Sequence, residues 1–209
     1  MISKKMMAQV LAALVLASAG TGLLFTTDVY EDIYETIVAT TCYSCIKMDP
    51  LPTLEYSFET ANGEPHPSFI LQNLTTAPIF LGYRLDVCAA CDIMDPIIQD
   101  VFDVSFAMDE LAYELVEFHG SSVHFYHINL DHSAGSFKDS FTTYGGIGVP
   151  LFVVVTLDNN NGTIEPTYAI AEGTLGLPTE EGRKLFLELM VHGAITQYEQ
   201  YQEDYVSIV

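Results

Sequence analysis

The stretch Cys88-Ala89-Ala90-Cys91-Asp92-Ile93-Met94-Asp95-Pro96 decides the fold, because a strand-like pattern ends and a helical pattern begins there. An apolar run of strand length, 77–85, precedes the stretch, and a helical pattern follows it to about His119. A thiol at a helix N-terminus faces unpaired backbone N–H groups and the positive end of the helix dipole, which favour the thiolate. The second cysteine, one helical turn later, can close a disulfide with the first. We therefore expect Cys88 to be the exposed, attacking thiol and Cys91 the shielded, resolving thiol.

Further along the chain, strand-like and helical patterns alternate. From residue 77 they predict the order β-α-β-α-β-β-α, with the most apolar strand at 150–157 and a turn at Asn159-Asn160-Asn161-Gly162. The other predicted elements are a strand at 123–130, a short helix at 133–144, a strand at 167–171 and a helix from Pro178 to about Tyr198. Upstream, predicted strands at 53–60 and 68–74 flank the turn signal Asn62-Gly63. This order indicates an α/β fold with a central mixed sheet flanked by helices.

The composition indicates a folded and strongly acidic protein. The chain has 209 residues, of which 28 are acidic and 7 basic, so its formal charge is −21. A hydrophobic share of 49% is sufficient for a core. Nucleic-acid binding needs Lys and Arg against phosphates, and the charge balance argues against that function class.

The N-terminus has the form of an export signal. Lys4 and Lys5 precede the apolar run 6–25, and the first acidic residue is Asp28. The segment is either a signal peptide cleaved near Ala17-Ser18-Ala19 or an uncleaved anchor that leaves the rest of the chain outside the cytoplasm. We therefore predict a membrane-anchored protein, or a secreted one if the segment is cleaved. The predicted division of the chain is 1–27 signal or anchor, 28–52 membrane-proximal helix or linker, 53–198 main domain and 199–209 C-terminal tail.

A second cysteine pair, Cys42-Tyr43-Ser44-Cys45, lies in the membrane-proximal segment. The residues leave three interpretations open. The pair forms a structural disulfide, which export favours. It is a second redox couple that passes electrons to Cys88 and Cys91. Or it supplies half of a four-thiolate zinc site together with the first pair.

Residues 77–195 resemble the thioredoxin family. The C-x-x-C pair is followed by Pro96, five residues after the second cysteine, as in the family's active-site helix. Ile128-Asn129-Leu130-Asp131 resembles the strand end that follows that helix. Tyr144-Gly145-Gly146-Ile147-Gly148-Val149-Pro150 resembles the segment that leads to the family's cis-proline, and Gly173 lies where the family has a glycine after its hairpin. The resemblance implies a thioredoxin-like fold.

The resemblance also implies an activity and roles for single residues. Cys88 is the attacking and Cys91 the resolving thiol of a thiol–disulfide oxidoreductase, and Pro150 is the cis-proline packed against their disulfide. The backbone of Val149 pairs with an extended substrate strand. The implied partners are protein thiols and disulfides. No organic cofactor is implied, because the cysteine pair carries the electrons.

The predicted N-terminal hairpin around Asn62-Gly63 adds a looser resemblance to membrane-tethered extracytoplasmic thioredoxins. These proteins reduce or oxidise thiols outside the membrane. This resemblance implies a membrane redox partner in addition to the soluble substrates.

The chain departs from the family at several positions. Val87 stands where thioredoxins have Trp, and Ala89-Ala90 replaces their Gly-Pro. The family's buried acid falls on Gly82, and its buried Lys falls on His127. His127 is a candidate proton acceptor for Cys91, because imidazole exchanges protons near neutral pH; a hydrogen-bonded core histidine is the alternative.

Two charged residues stand just before the site. Arg84 stands near the end of the apolar run 77–85, and Asp86 follows that run directly. Their position allows them to tune the thiolate, although a loop of this kind more often holds solvated side chains. We therefore expect both to be solvated loop residues.

Two other functions compete with disulfide exchange. One is a redox-inert binding module whose disulfide is only structural. The other is a copper or zinc carrier, with Cys88 and Cys91 joined by His124, His127 or His132. The sequence itself assigns no metal site. Oxidase, reductase and isomerase share the motif, so the direction of electron flow stays open.

Overall fold

The structure, a computed structural model, describes residues 54–107, 111–133, 137–142 and 148–206. The predicted signal or anchor at 1–27 lies outside these residues, and so does the segment 28–52 with Cys42 and Cys45. Both stay predictions from sequence. Among the described helices, none is long and apolar enough to cross a membrane.

A five-stranded mixed sheet lies at the centre of the fold. Its strands are β1 (Ile79–Arg84), β2 (Ala112–Phe118), β3 (Ser121–Asn129), β4 (Leu151–Asn160) and β5 (Thr163–Glu172). Their order is β2-β3-β1-β4-β5; β1 pairs in parallel with β3, and the other neighbours are antiparallel. The described helices are α1 (Ser68–Asn73), α2 (Ala89–Phe102), α3 (Glu180–Val206) and a 3₁₀ turn (Lys138–Ser140). The predicted α/β class with a mixed sheet is confirmed.

Two of the three inner strands, β1 and β4, carry the apolar runs of the sequence. All six residues of β1 are buried, and so are residues 151–157 of β4. A strand covered on both faces has no solvated face, so its apolar residues do not alternate with polar ones. Because β1 and β3 are parallel, their carboxyl ends meet at one edge of the sheet, where Leu130 N–H donates to the Arg84 carbonyl at 3.0 Å.

The predicted β4–β5 hairpin is confirmed. Asn160 pairs with Thr163, so the connection has two residues, Asn161 and Gly162. Their φ angles are 54° and 98°. A two-residue turn with positive φ at both positions matches the twist of the strands, and Asn-Gly adopts it at low cost.

The predicted continuation of the cysteine-bearing helix to His119 is wrong. α2 ends at Phe102, and Asp103 after it has a left-handed φ of 50°. Residues 112–118 instead form β2. His119 and Gly120, with φ of 50° and 91°, make a two-residue turn into β3.

The misassigned segment satisfies two periodicities at once. Leu111, Leu115 and Phe118 recur at helical spacing, yet Leu111 and Leu115 are 56% and 52% exposed. Pairing with β3 buries Val116 and Phe118 instead. It also packs Tyr113 against Tyr126 across the strands, with ring centroids 4.6 Å apart. Cross-strand contacts of this kind override local propensity.

The predicted N-terminal hairpin is also wrong. Ser68–Asn73 is helix α1, which begins after Pro67 and buries Ile70. Asn62-Gly63 is a turn, in which Gly63 N–H donates to the Thr60 carbonyl at 3.0 Å, but it joins no two strands. The segment before it contacts β5 through a bridge between Ser57 and Tyr168, and the side chains of Thr167 and Tyr168 donate hydrogen bonds to its backbone carbonyls. A proline is well placed just before a helix, because it need not donate a hydrogen bond there.

Helix α3 is longer than predicted. It continues past Tyr198 to Val206 and so takes in most of the predicted tail 199–209. Tyr198 and Tyr205 lie two turns apart on one face and are 3% and 6% exposed. Their burial stabilises the last turns of a helix that is otherwise polar there.

Aromatic side chains fill the space between α2 and the sheet. Phe80 of β1 is fully buried, and its ring centroid lies 4.6 Å from Phe102 of α2 and 5.8 Å from Phe125 of β3. Phe102 and Phe125 are 4.9 Å apart. This cluster holds the helix that carries the cysteines against the two parallel strands.

We expect the substitution Phe80→Ala to lower the free energy of unfolding by about 3–5 kcal/mol, because it leaves a cavity in this cluster. Denaturant unfolding measures the change. Leu115→Ala is the control: its side chain is half exposed, and we expect a loss of only about 0.5 kcal/mol or less. Equal losses for the two variants would contradict the position of the core.

Candidate active site

The two cysteines of the first pair form a disulfide at the start of α2. Cys88 is the N-cap of the helix, in extended conformation, and its Cα lies 5.2 Å from that of Cys91. Cys91 is fully buried, whereas Cys88 is partly exposed and its neighbour Val87 is 96% exposed. Only the first cysteine is therefore accessible to a second molecule.

The helix terminus places a backbone donor on the Cys88 sulfur. Cys91 N–H donates to Cys88 Sγ across 3.1 Å. When the disulfide is open, this donor and the positive end of the helix dipole stabilise negative charge on Cys88. Within the described part of the chain, the Cys91 sulfur accepts no such hydrogen bond.

The peptide bond between Val149 and Pro150 is cis, as the resemblance implies. Pro150 is buried and Val149 half-buried at the start of β4. The Pro150 carbonyl accepts a hydrogen bond of 2.8 Å from Gly173 N–H, which ties the start of β4 to the end of β5. Gly173 has a φ of 63°, a conformation that favours glycine. Residues 143–147 before this segment lie outside the described residues.

A cluster of three buried ionisable side chains lies between α2 and the sheet. Asp95 of α2 is 1% exposed, Arg84 of β1 3% and His127 of β3 1%. Asp95 forms an ion pair with Arg84 through its Oδ2, and its Oδ1 lies 3.2 Å from His127 Nε2. Arg84 also approaches the exposed Asp92 at 3.4 Å. The expectation that Arg84 is a solvated loop residue is therefore wrong.

At the strand position where the resemblance places the family's buried acid, this chain has Gly82, which carries no ionisable side chain. Gly82 is paired with His127 in the sheet, and a Cβ at Gly82 would lie 3.7 Å from the imidazole. Phe106 stacks on the imidazole of His127, with ring centroids 3.8 Å apart. His127 Nδ1 is buried and has no hydrogen-bond partner among the described residues.

Sequence analysis missed Asp95 as a member of the site. The signal was its spacing, because position 95 lies one helical turn after Cys91 and therefore on the same face. An acid on the buried face of a helix needs a partner inside the fold. That partner is Arg84, which precedes the cysteines in sequence and which the sequence analysis predicts to be a solvated loop residue.

A network of polar side chains, called the polar staple below, joins the ends of β1 and β3 beside the cysteines. It consists of Asp86, Asn129, Asp131 and His132. Asn129 donates a side-chain hydrogen bond of 2.7 Å to Asp86, and the Asp86 backbone N–H donates to Asp131 at 2.8 Å. His132 Nε2 lies 2.9 Å from the Asp86 carboxylate. The hydrogen bond from Asn129 is the largest cause that lowers the pKa of Asp86, and His132 and Arg84 act in the same direction. Asp86 is exposed, as expected, but it connects two loops.

The candidate metal-binding histidines are engaged elsewhere. The ring of His124 contacts Thr76 Oγ1 at 2.7 Å and Tyr113 OH at 3.0 Å, and burial lowers the pKa of His124. His127 and His132 each contact an aspartate. Within the described residues, no three His, Cys, Asp or Glu side chains are grouped to hold a metal ion. The zinc hypothesis for Cys42 and Cys45 concerns residues outside that part.

No protein-family model and no curated protein matches the sequence.

We expect the substitution Asn129→Ala to raise the pKa of Asp86 towards its ordinary value, because the carboxylate loses its principal donor. Asp86 has a lowered pKa in the folded state, so it stabilises the fold at neutral pH, and this contribution is lost as the pH falls through that folded pKa. NMR titration of the Asp86 carboxyl carbon measures the shift. Carboxyl groups remote from the staple serve as internal controls, and an unchanged Asp86 titration in the variant would contradict the assigned cause.

Proposed function

We propose that the protein is a thioredoxin-like thiol–disulfide oxidoreductase that exchanges disulfides with proteins outside the cytoplasm. One observation carries the proposal: the C-x-x-C disulfide sits at a helix N-terminus with Cys88 accessible and Cys91 buried. This asymmetry is what exchange requires, because one sulfur must meet the substrate and the other must resolve the intermediate.

The arrangement of elements supports the proposal. β1 leads into the cysteine-bearing helix, β3 returns parallel to β1, and the antiparallel β4–β5 hairpin follows a cis-proline. The resemblance in sequence implies the same order. A buried structural disulfide, the rival interpretation, gains nothing from an accessible first cysteine.

The chemistry needs only the two cysteines and a substrate disulfide. The Cys88 thiolate attacks one substrate sulfur, and the substrate disulfide breaks as a mixed disulfide forms. Cys91 then loses its proton and attacks Cys88 Sγ, which forms the Cys88–Cys91 bond and releases the second substrate sulfur as a thiolate. Two electrons pass from the cysteine pair to the substrate, and the reverse sequence oxidises a substrate dithiol.

The surface around Cys88 suits an extended peptide. The backbone of Val149, half-buried at the start of β4, is the proposed pairing edge for a substrate strand. Val87 and Ile93, which are 96% and 46% exposed, offer apolar contacts on either side of Cys88 in sequence. Apolar side chains next to the reacting sulfur of an unfolded or extended substrate would pack against these two exposed residues.

Location and partners are proposed from the sequence. The segment 1–27 directs the domain outside the cytoplasm, anchored or secreted. The proposed partners are protein thiols and disulfides together with a membrane redox protein that recharges the site. The cysteine pair itself carries the electrons, so the proposal includes no organic cofactor.

We expect the substitution Cys91→Ser to trap substrates on Cys88, because the mixed disulfide loses the thiol that resolves it. Affinity purification of the full chain followed by mass spectrometry identifies proteins attached to the peptide that contains Cys88. The matched control is Cys88→Ser, which keeps one cysteine but loses the accessible one and should trap none. Equal recovery with both variants, or none with either, would contradict exchange through Cys88.

We also expect the Cys88–Cys91 pair to equilibrate with glutathione buffers, with a reduction potential between about −270 and −120 mV. Peptide mapping of the full chain by mass spectrometry reports this pair separately from Cys42 and Cys45. A value near the upper end indicates a disulfide-forming oxidase, and a value near the lower end a reductase. A pair that stays oxidised below about −300 mV would contradict the proposal and favour the binding module.

A further inference from the structure

Two Asn-x-Thr triplets in the sequence match the acceptor pattern for N-linked glycans. They are Asn73-Leu74-Thr75 and Asn161-Gly162-Thr163. Glycans of this kind occur on the surface loops of secreted proteins, so the pattern has a meaning only for an exported chain. Such triplets also arise by chance. The folded structure decides which of the two can carry a bulky, hydrophilic group.

Asn161 lies at the tip of the β4–β5 hairpin. All three residues of its triplet are exposed. The amide nitrogen of Asn161 donates to Asn160 Oδ1 across 3.0 Å, a contact with its neighbour in the same turn. The amide can therefore be released without disturbing the core, and exposed loop tips are segments that modifying enzymes reach easily.

The turn is held by other side chains than that of Asn161. Gly162 N–H donates to Asn159 Oδ1 at 2.6 Å, and Asn160 Nδ2 donates to Glu165 at 2.8 Å. The φ of Asn161 is 54°, a left-handed conformation that asparagine adopts more readily than most residues. A sugar on the side-chain nitrogen replaces one exposed hydrogen and leaves this backbone conformation unchanged.

Asn73 is placed differently, at the end of α1 against β3. It is half-buried, and its amide nitrogen donates to the hydroxyl of Tyr126. The next residue, Leu74, is fully buried in the core. A sugar on the Asn73 nitrogen would lie against the ring of Tyr126, which contacts Phe69 with centroids 5.5 Å apart. The fold therefore places this triplet in the packing between α1 and β3.

We propose that Asn161, and not Asn73, carries an N-linked glycan in the exported protein. The inference rests on the proposed location outside the cytoplasm and not on the exchange chemistry. The donor is an oligosaccharide linked through phosphate to a lipid. The Asn161 amide nitrogen forms a bond to the anomeric carbon of the first sugar, and the bond from that carbon to the phosphate oxygen breaks. The lipid phosphate leaves with the bonding electrons, and the transferase takes one proton from the amide.

The proposed glycan is remote from the cysteines. β4 begins at the end of the sheet where β1 finishes, because Leu151 pairs with Tyr83. From there β4 runs for ten residues to the turn, a length of about 30 Å in an extended strand. Cys88 follows the last residues of β1, so the thiol and Asn161 lie at opposite ends of the strands. A glycan at the hairpin tip therefore leaves access to Cys88 open.

The test is production of the full chain in a eukaryotic secretory host. Peptide N-glycosidase in water labelled with heavy oxygen converts each glycosylated asparagine to a labelled aspartate. Mass spectrometry of the digest then reports the two triplets separately. The protein is first selected as folded by gel filtration and a cooperative thermal transition. We expect the label at Asn161 in most molecules and at Asn73 in few.

Substitutions at the third position of each triplet identify the acceptor. Thr163→Ala removes the hydroxyl that the pattern requires but keeps the Asn161-Gly162 turn, so we expect complete loss of the glycan and a faster band on a denaturing gel. Thr163→Ser restores a hydroxyl and should retain the glycan. Thr75→Ala is the matched control, because it destroys the other triplet in the same way; it should leave the mobility unchanged.

Each contrary outcome has a distinct meaning. Label at Asn73 alone, or equal label at both asparagines in the folded protein, overturns the assignment to Asn161. An unmodified chain that is protected from protease inside intact vesicles overturns it as well. A chain that stays in the cytosol refutes the predicted export and the inference with it. If the glycosylated chain and Thr163→Ala both fail to exchange with glutathione, the proposed function is refuted and the glycosylation site stands.

Discussion

The ion pair between Arg84 and Asp95 joins the last residue of β1 to the buried face of α2, the helix whose first turn holds both cysteines. With His127 it also connects the helix to β3. Charges in the interior need partners, and Arg84, Asp95 and His127 supply them to one another. The junction between β1 and α2 is thereby fixed at the point where Cys88 caps the helix, and the accessible and buried sulfurs keep their distinct environments.

The aromatic cluster and the polar staple complete this support from two sides. Phe80, Phe102 and Phe125 pack the body of α2 on the parallel strands. Asp86 and Asn129 connect the loops at the carboxyl ends of the same strands. Dispersion contacts hold the helix, and charge-assisted hydrogen bonds orient its first turn. The site is thus placed on packed elements, and the partly exposed Cys88 is the thiol that we propose reacts with substrates.

Much of the fold follows from local sequence, and the failures share one cause. Buried strands such as β1 and β4 were predictable from their apolar runs, and the β4–β5 turn from Asn161-Gly162. β2 was not, because Leu111 and Leu115 fit a helical stripe as well as a strand. Only pairing with β3 decides the matter, and no local pattern contains that pairing. The sequence analysis predicts a strand where the structure has α1, because six residues after a proline are too few to distinguish the period of a helix from that of a strand.

The sequence by itself determined the class of the fold, the junction that carries Cys88 and Cys91, and which thiol faces outwards, because helix periodicity and helix-terminus chemistry are local. Tertiary structure decided the surroundings of the buried thiol. Arg84, Asp95 and His127 come from three elements, and each looks ordinary in its own segment. Their encounter depends on the parallel register that sets His127 beside Gly82 and on the face of α2 that the core accepts. Such a register is a property of the assembled sheet. The contact between the helix carboxylate and the two strand residues is therefore visible only in the tertiary structure.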